Sequence, residues 1–365
     1  MRNYDAMEQY WIWLATIPGI GPKKFYRLIG IYEDARAVWD NVGDPEMAFL
    51  GEQTLAKLKK ARSEQYFYRL FNRLEQLDVD VITRLSDDYP PLLNTIFDPP
   101  AVLYVRGAEA LRAERAFAIV GSRRATRDGK RAAREIAEGL SRNGITVVSG
   151  LARGVDTAAH EGAVKAEGPT VAVLGCGVDI VYPPENDQLA QRILETGGAL
   201  VSEYPPGTRP LAGHFPARNR IISGMSAGTL LVEGAQGSGA MITMDFAAEQ
   251  GRDAFAVPGS IYSPQSSMPN KLIVDGATPV LSHWEILEYY RWAERPAASA
   301  EKAPKVELDE EEARIVEPLR NEEMSFDELI AATGILPAKL NSHLTILELR
   351  GIIVKAPGGL YRAYQ

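Results

Sequence analysis

The sequence predicts an α/β protein: a doubly wound, mostly parallel sheet preceded by a helical region and followed by a winged helix. Three observations carry that prediction. Six short runs, AFAIVG, ITVVSG, TVAVLG, GALVSE, TLLVEG and DAFAVPG, alternate with stretches of helical period between residues 116 and 259. Strands separated by helices pair in parallel through crossovers, which cover the sheet on both faces. Residues 1 to about 70 read as helices punctuated by Gly and Pro, and residues 306–365 as three helices followed by a small hairpin. At 365 residues the chain exceeds one ordinary core, so several folded units are expected.

Taken in order, residues 1–75 form the helical part. Within it Ile17-Pro18-Gly19-Ile20-Gly21-Pro22 has the form of a helix-hairpin-helix turn. Its glycine amides, with Lys23, Lys24 and Arg27, suit a duplex backbone, whereas the near-neutral charge of the region favours a packing αα-hairpin. Residues 76–291 hold the sheet. Residues 292–305, WAERPAASAEKAPK, are rich in Ala, Pro and charge without apolar period, and read as a linker. In residues 306–365, Ser325 and Glu328 make a capping box, Gly334 stops a helix and Pro337 starts the next. GIIVKAPGGLYRAY then supplies two strands around a Pro-Gly-Gly turn, and helices plus hairpin make a winged helix.

The net charge of −8 argues against nucleic acid at first, because phosphate binding is driven by cations. Distribution reverses that reading locally. Arg123, Arg124, Arg127, Lys130, Arg131 and Arg134 fall within twelve residues against only Asp128. The last 61 residues sum to −4, with Asp309-Glu310-Glu311-Glu312 near their start, which favours a protein partner over DNA there. One cysteine, Cys176, excludes an internal disulfide and fits a reducing compartment, and neither a signal peptide nor a membrane segment is read. A cytoplasmic location is therefore expected.

Several motifs could carry chemistry. Gly121-Ser122-Arg123 lies between a strand and a helix, where backbone amides and Arg123 suit a phosphate; an ordinary strand-to-helix turn fits as well. Ser149-Gly150-Leu151-Ala152-Arg153-Gly154-Val155-Asp156 closes another strand, its glycines permitting close backbone approach and Asp156 with Thr157 reading as a helix cap. The densest constellation is Phe215-Pro216-Ala217-Arg218-Asn219-Arg220. An aromatic, two arginines and an amide suit an unstacked base beside phosphates. The same residues fit a helix start whose arginines pair with Glu203 or Glu233 while Phe215 packs in the core. Gly234 to Gly239, including Ser238, is a Gly-rich turn placed to line the same crevice.

Enzyme signals fail on context. Gly224-Met225-Ser226-Ala227-Gly228 matches G-x-S-x-G but precedes a strand, whereas a nucleophile elbow follows one. No Walker loop exists. His160, His214, His283 and His343 are scattered without metal-site spacing, and surface or capping roles suffice for them. Cys176, flanked by glycines, reads as a small packed residue. No cofactor or metal is expected.

In this order, AIVGSRRATRDG, VVSGLARGVDTAAHEGA, VAVLGCGVDIVYPPEN, LVSEYPPGT, HFPARNRIISGMS, LLVEGAQGSGAMIT and GRDAFAVPG resemble the DNA-processing protein A (DprA/Smf) family over residues 80 to 290. The resemblance implies an extended Rossmann-like domain flanked by a helix-hairpin-helix, SAM-like domain and a winged helix. It implies a non-catalytic protein that binds single-stranded DNA, dimerises, and helps load the RecA recombinase in natural transformation. Carried over by motif, Ser122 and Arg123 map to a phosphate-holding turn, and Phe215, Arg218, Asn219 and Arg220 to base and backbone contacts. Ser149, Gly150, Arg153, Ser238 and Gly239 map to further pocket positions. Asp128 stands where the family commonly has tyrosine, and Met268 where it has glycine. The competing reading is a phosphoribohydrolase-like enzyme with Glu233 as acid/base, although the P-G-G-x-G-T-x-x-E signature of such enzymes is missing around Glu233.

Overall fold

The computed structural model describes residues 4–293, 308–319, 322–349, 352–355 and 359–363. The chain divides into two compact units, Met1–Arg295 and Pro296–Gln365. Beyond Ala293, the stretch read as a linker lies outside the described residues.

The first unit is built on nine strands: β1 (Asp80–Thr83), β2 (Val102–Arg106), β3 (Ala116–Val120), β4 (Thr146–Ser149), β5 (Thr170–Val173), β6 (Ala199–Ser202), β7 (Gly228–Leu231), β8 (Asp253–Ala256) and β9 (Thr278–Pro279). Their order is β1-β2-β6-β5-β4-β3-β7-β8-β9. The six runs read from the sequence are β3 to β8, all parallel. Only β2 runs against its neighbours. The chain winds outward from β3 through β4 and β5 to β6, then returns past β3 to lay down β7, β8 and β9. Crossovers therefore leave in opposite directions from β3 and β7. A doubly wound sheet places its ligand crevice outside the carboxyl ends of strands at such a switch point.

Alternation along the strands feeds both faces. Phe117 and Ile119 join Ala133, Ile136, Ala137 and Leu140 of the Arg127–Arg142 helix on one face. Ala118 and Val120 join Ile221, Ile222 and Met244 on the other. His160 departs from the surface role expected for it. It is fully buried, 2.9 Å from the Thr170 hydroxyl, and burial pushes its pKa down to about 3, so it is a neutral core residue.

The helices Ala6–Ala15, Pro22–Tyr32, Ala35–Asp40, Glu52–Ala61 and Glu64–Gln76 close over their own core of Trp11, Trp13, Phe25, Leu28 and Leu58. They also share a cluster with the sheet: Tyr4, Ile12 and Leu74 pack on Val81, Val102 and Tyr104. The Val81 N–H donates to the Tyr4 hydroxyl at 2.7 Å. Apolar packing thus continues across the boundary expected at residue 75.

In the second unit, helices Glu310–Leu319, Phe326–Thr333 and Pro337–Leu349 pack Ile315, Leu329, Leu340 and Leu344 against Tyr361 of the antiparallel hairpin β10 (Ile353–Lys355) and β11 (Tyr361–Ala363). The predicted capping box is present. Glu328 N–H donates to the Ser325 hydroxyl at 3.3 Å, and Ser325 N–H to the Glu328 carboxylate at 2.7 Å. Gly334 ends its helix at φ +68°, a left-handed position that favours glycine. Residues 356–358 of the predicted hairpin turn lie outside the described residues.

Candidate nucleic-acid interface

The turn after β3 is tied down from three sides. A Cβ on Gly121 would stand 2.6 Å from Val155 and 3.0 Å from the Glu233 carbonyl, so only glycine fits. Ser122 N–H donates to that carbonyl at 2.7 Å, and the Ser122 hydroxyl accepts from Arg124 N–H at 3.1 Å. Thr126 caps the Arg127–Arg142 helix by accepting from Gly129 N–H at 3.0 Å. Thr126 in turn donates its N–H and hydroxyl to the Glu233 carboxylate, at 2.8 and 2.6 Å. The amides of Ser122, Arg124, Thr126 and Gly129 are thus spent inside the protein. An anion at this turn meets Arg123, Arg124 and Arg127, which are exposed, rather than the bare helix start suggested by the sequence. Asp128 sits in the first helical turn, where its charge complements the macrodipole.

Arg218 forms part of the cleft floor. Its side chain is buried and donates to the carbonyls of Gly150, at 2.7 Å, and Val173. A Cβ on Gly150 would reach within 2.5 Å of that guanidinium, which explains the glycine. Burial pushes Arg218 down to about 10 and buried Asp156 up to about 6, each against the pull of the other's charge. Asp156 accepts from Ala152 N–H at 3.4 Å from within the first helical turn, and the N-cap position falls at Gly154 without a side-chain cap. The capping role expected for Asp156 is therefore not the one it has.

Phe215 and Tyr182 form an aromatic corner, their ring centroids 5.4 Å apart and tilted by 41°. The Arg123 guanidinium lies over the Phe215 ring, 5.5 Å from its centroid. Asn219 reaches the Gly239 carbonyl at 3.4 Å and so links this helix to the Gly-rich turn. Ser122, Arg123, Phe215, Arg218, Asn219, Ser238 and Gly239 all line one open cleft of about 860 Å³ at the switch point.

The other four candidates stand outside its lining. The Ser149 hydroxyl donates to the Ile119 carbonyl at 2.7 Å and is buried. Gly150 lies behind Arg218. Arg153 is held by Glu185. Arg220 is buried between Glu203, at 2.7 Å, and Asp98, at 3.0 Å. For Arg220, the pairing with Glu203 weighed from the sequence is the geometry found. Cys176 is buried, as read from the sequence; burial pushes its thiol up to about 11.

Sequence reasoning passed over Tyr182, which also lines the cleft, and read Arg124 and Gln236, lining it too, only as members of the basic patch and the Gly-rich turn. Tyr182 is 39% exposed, and an aromatic held open before two prolines was the available signal.

Fold and cleft together define a Rossmann-like protein with a basic, aromatic-lined crevice at its switch point. The chain belongs to the DprA/Smf family of DNA-processing proteins. The family described as DNA recombination-mediator protein A matches residues 80–291, and the DprA winged helix domain matches residues 299–359. Protein Smf of Escherichia coli is 40% identical over 296 residues, 79% of each chain. DNA processing protein DprA of Bacillus subtilis is 41% identical over 241 residues, 65% of this chain and 81% of that one. The X-ray structure of DNA processing protein A from Streptococcus pneumoniae superposes with a TM-score of 0.65 at 32% identity, covering 79% of this chain and 98% of that chain. The Helicobacter pylori protein, whose structure addresses its single-stranded DNA binding mode, gives 0.53 at 27% identity over 58% of this chain and 95% of that one. No helix among the described residues is long and apolar enough to cross a membrane.

Proposed function

We propose that the switch-point cleft binds single-stranded DNA without bond-making chemistry, and that the protein delivers the strand to the RecA recombinase in the cytoplasm during natural transformation. The observation that carries this reading is the Arg123–Phe215–Tyr182 arrangement: a cation over an aromatic corner, open to solvent at the cleft. Flexible single strands offer unstacked bases to such a corner and phosphates to Arg123 and Arg124. The Helicobacter pylori relative supports it, since single-stranded DNA binding is described for that protein.

In this proposal Arg123, Phe215, Asn219, Ser238, Gly239 and Tyr182 touch the strand. Ser122, Gly150 and Arg218 shape the floor, and Ser149, Arg153 and Arg220 hold the surrounding loops. The division into residues 1–75, 76–291 and 306–365 is kept as a proposal about folding units, with the acidic winged helix taking a protein partner. A hydrolase would need a free Glu233, whereas both its carboxylate oxygens accept from Thr126. That geometry favours binding over turnover. Homodimerisation is proposed through residues 261–281, where Ile261 and Tyr262, in the loop after β8, and Val274 and Leu281, flanking the edge strand β9, are exposed.

Fluorescence anisotropy with labelled single-stranded and duplex oligonucleotides across a salt series tests the reading. The expected result is a preference for the single strand that weakens with salt and falls about tenfold or more in Arg123→Ala. Equal affinity for duplex, or an unaffected variant, would move the function away from this cleft.

A further inference from the structure

A second cleft, of about 850 Å³, opens on the other side of the segment that walls the first. One side of it is the Ile17–Phe25 hairpin turn, so the glycines read as a duplex-backbone contact instead face the sheet-bearing part of the same unit. Its opposite side comes from Tyr204, Pro205, Thr208, His214 and Ala217. Pro210, Ala212, Phe215 and Pro216 line the first cleft, so residues 205–217 alternate between the two. A chain leaving the Phe215 corner has a short path over this segment into the second cleft.

The chemistry there suits bases. Tyr204 and His214 stack face to face, 4.0 Å between centroids and 15° between planes, and together offer an aromatic platform. The acidic groups that would repel a polyanion, Asp98 and Glu203, share Arg220, and Lys23 and Lys24, which line the same cleft, offset the negative charge that remains. Lys23 stands exposed at the turn, and Lys24 is anchored to the Leu50 carbonyl at 3.0 Å. An aromatic platform with cations nearby is the arrangement that holds single strands in a sequence-tolerant way.

We infer that the second cleft receives the next nucleotides of the strand bound in the first, with a base stacked on the Tyr204–His214 platform and a phosphate near Lys23. This rests on the single-strand reading of the first cleft. The turn of the helical region is thus a DNA contact, for an unpaired strand and not for a duplex.

The test is a length series of oligothymidylate, from about six to about twenty nucleotides, titrated by anisotropy against the full chain. Wild type is expected to bind the longer strands more tightly. Lys23→Glu and His214→Ala each remove about tenfold of that gain and leave the shortest strand unaffected, whereas Arg123→Ala weakens every length. Lys23 is a surface residue, so its variant keeps the test independent of folding. If length brings no gain, or the gain survives both variants, the second cleft is not on the path. If wild type binds no length, the single-strand reading itself fails, which is a different result.

Discussion

Arg123 and Arg218 were both read from the sequence as DNA contacts, and the structure gives the two side chains different surroundings.

 The difference between the two lies in burial. Arg123 is exposed over Phe215, while Arg218 is buried and holds the carbonyls of Gly150 and Val173. Arg123→Ala removes a side chain that water already solvates, so stability is expected to change by less than about 0.5 kcal/mol while strand affinity falls. Arg218→Ala strands two carbonyls and leaves buried Asp156 without its counter-charge. A loss of roughly 3 kcal/mol in urea unfolding is expected, together with weaker binding. An Arg218→Ala protein as stable as wild type would show that the floor does not depend on this guanidinium.

Among the elements, the Arg127–Arg142 helix depends most on a residue far away in the chain. Glu233, just past the end of β7, accepts from both donors of Thr126 and fixes where the helix begins. A Cβ on Gly129 would stand 2.3 Å from the Glu233 carboxyl carbon, so Gly129 and Glu233 fit each other. Glu233→Gln keeps an acceptor for the Thr126 N–H and is expected to bind single-stranded DNA within about threefold of wild type. Glu233→Ala leaves that N–H unpaired and is expected to cost about 2 kcal/mol, read by thermal or urea unfolding. An acid/base role predicts something else: loss of a nucleotide-hydrolysing activity in Glu233→Gln, with wild type active.

For the whole molecule, the doubly wound order brings the ends of β3 and β7 side by side, although more than a hundred residues separate them in the chain. Val274 and Leu281 flank β9, which lies at the far edge of the same sheet with two strands between it and β3. A dimer made there borders the cleft, because Gln265 of the same stretch lines it. Val274→Arg is expected to shift the mass measured by light scattering from about 80 kDa to the 40.0 kDa of one chain, because a charge cannot be buried unpaired in an apolar interface. A wild type that already runs as a monomer, or a variant that stays dimeric, would place the contact elsewhere or remove it.

Much of the fold was legible because it is written in local pattern. The runs that became β3 to β8 alternate with helical stretches, and the Ser325–Glu328 box and Gly334 stop act within a few residues of themselves. The strands β1, β2 and β9 were not read: β9 is two residues long, and β1 and β2 earn their place through packing on the N-terminal helices. At the site, the segments were right and the roles were mixed. Sequence alone determined which residue types gather near the cleft, since glycine turns and arginine clusters are contiguous in the chain. Burial decided the rest, because whether an arginine meets solvent or a carbonyl depends on atoms brought in from other strands: Gly150 and Val173 for Arg218, Asp98 and Glu203 for Arg220.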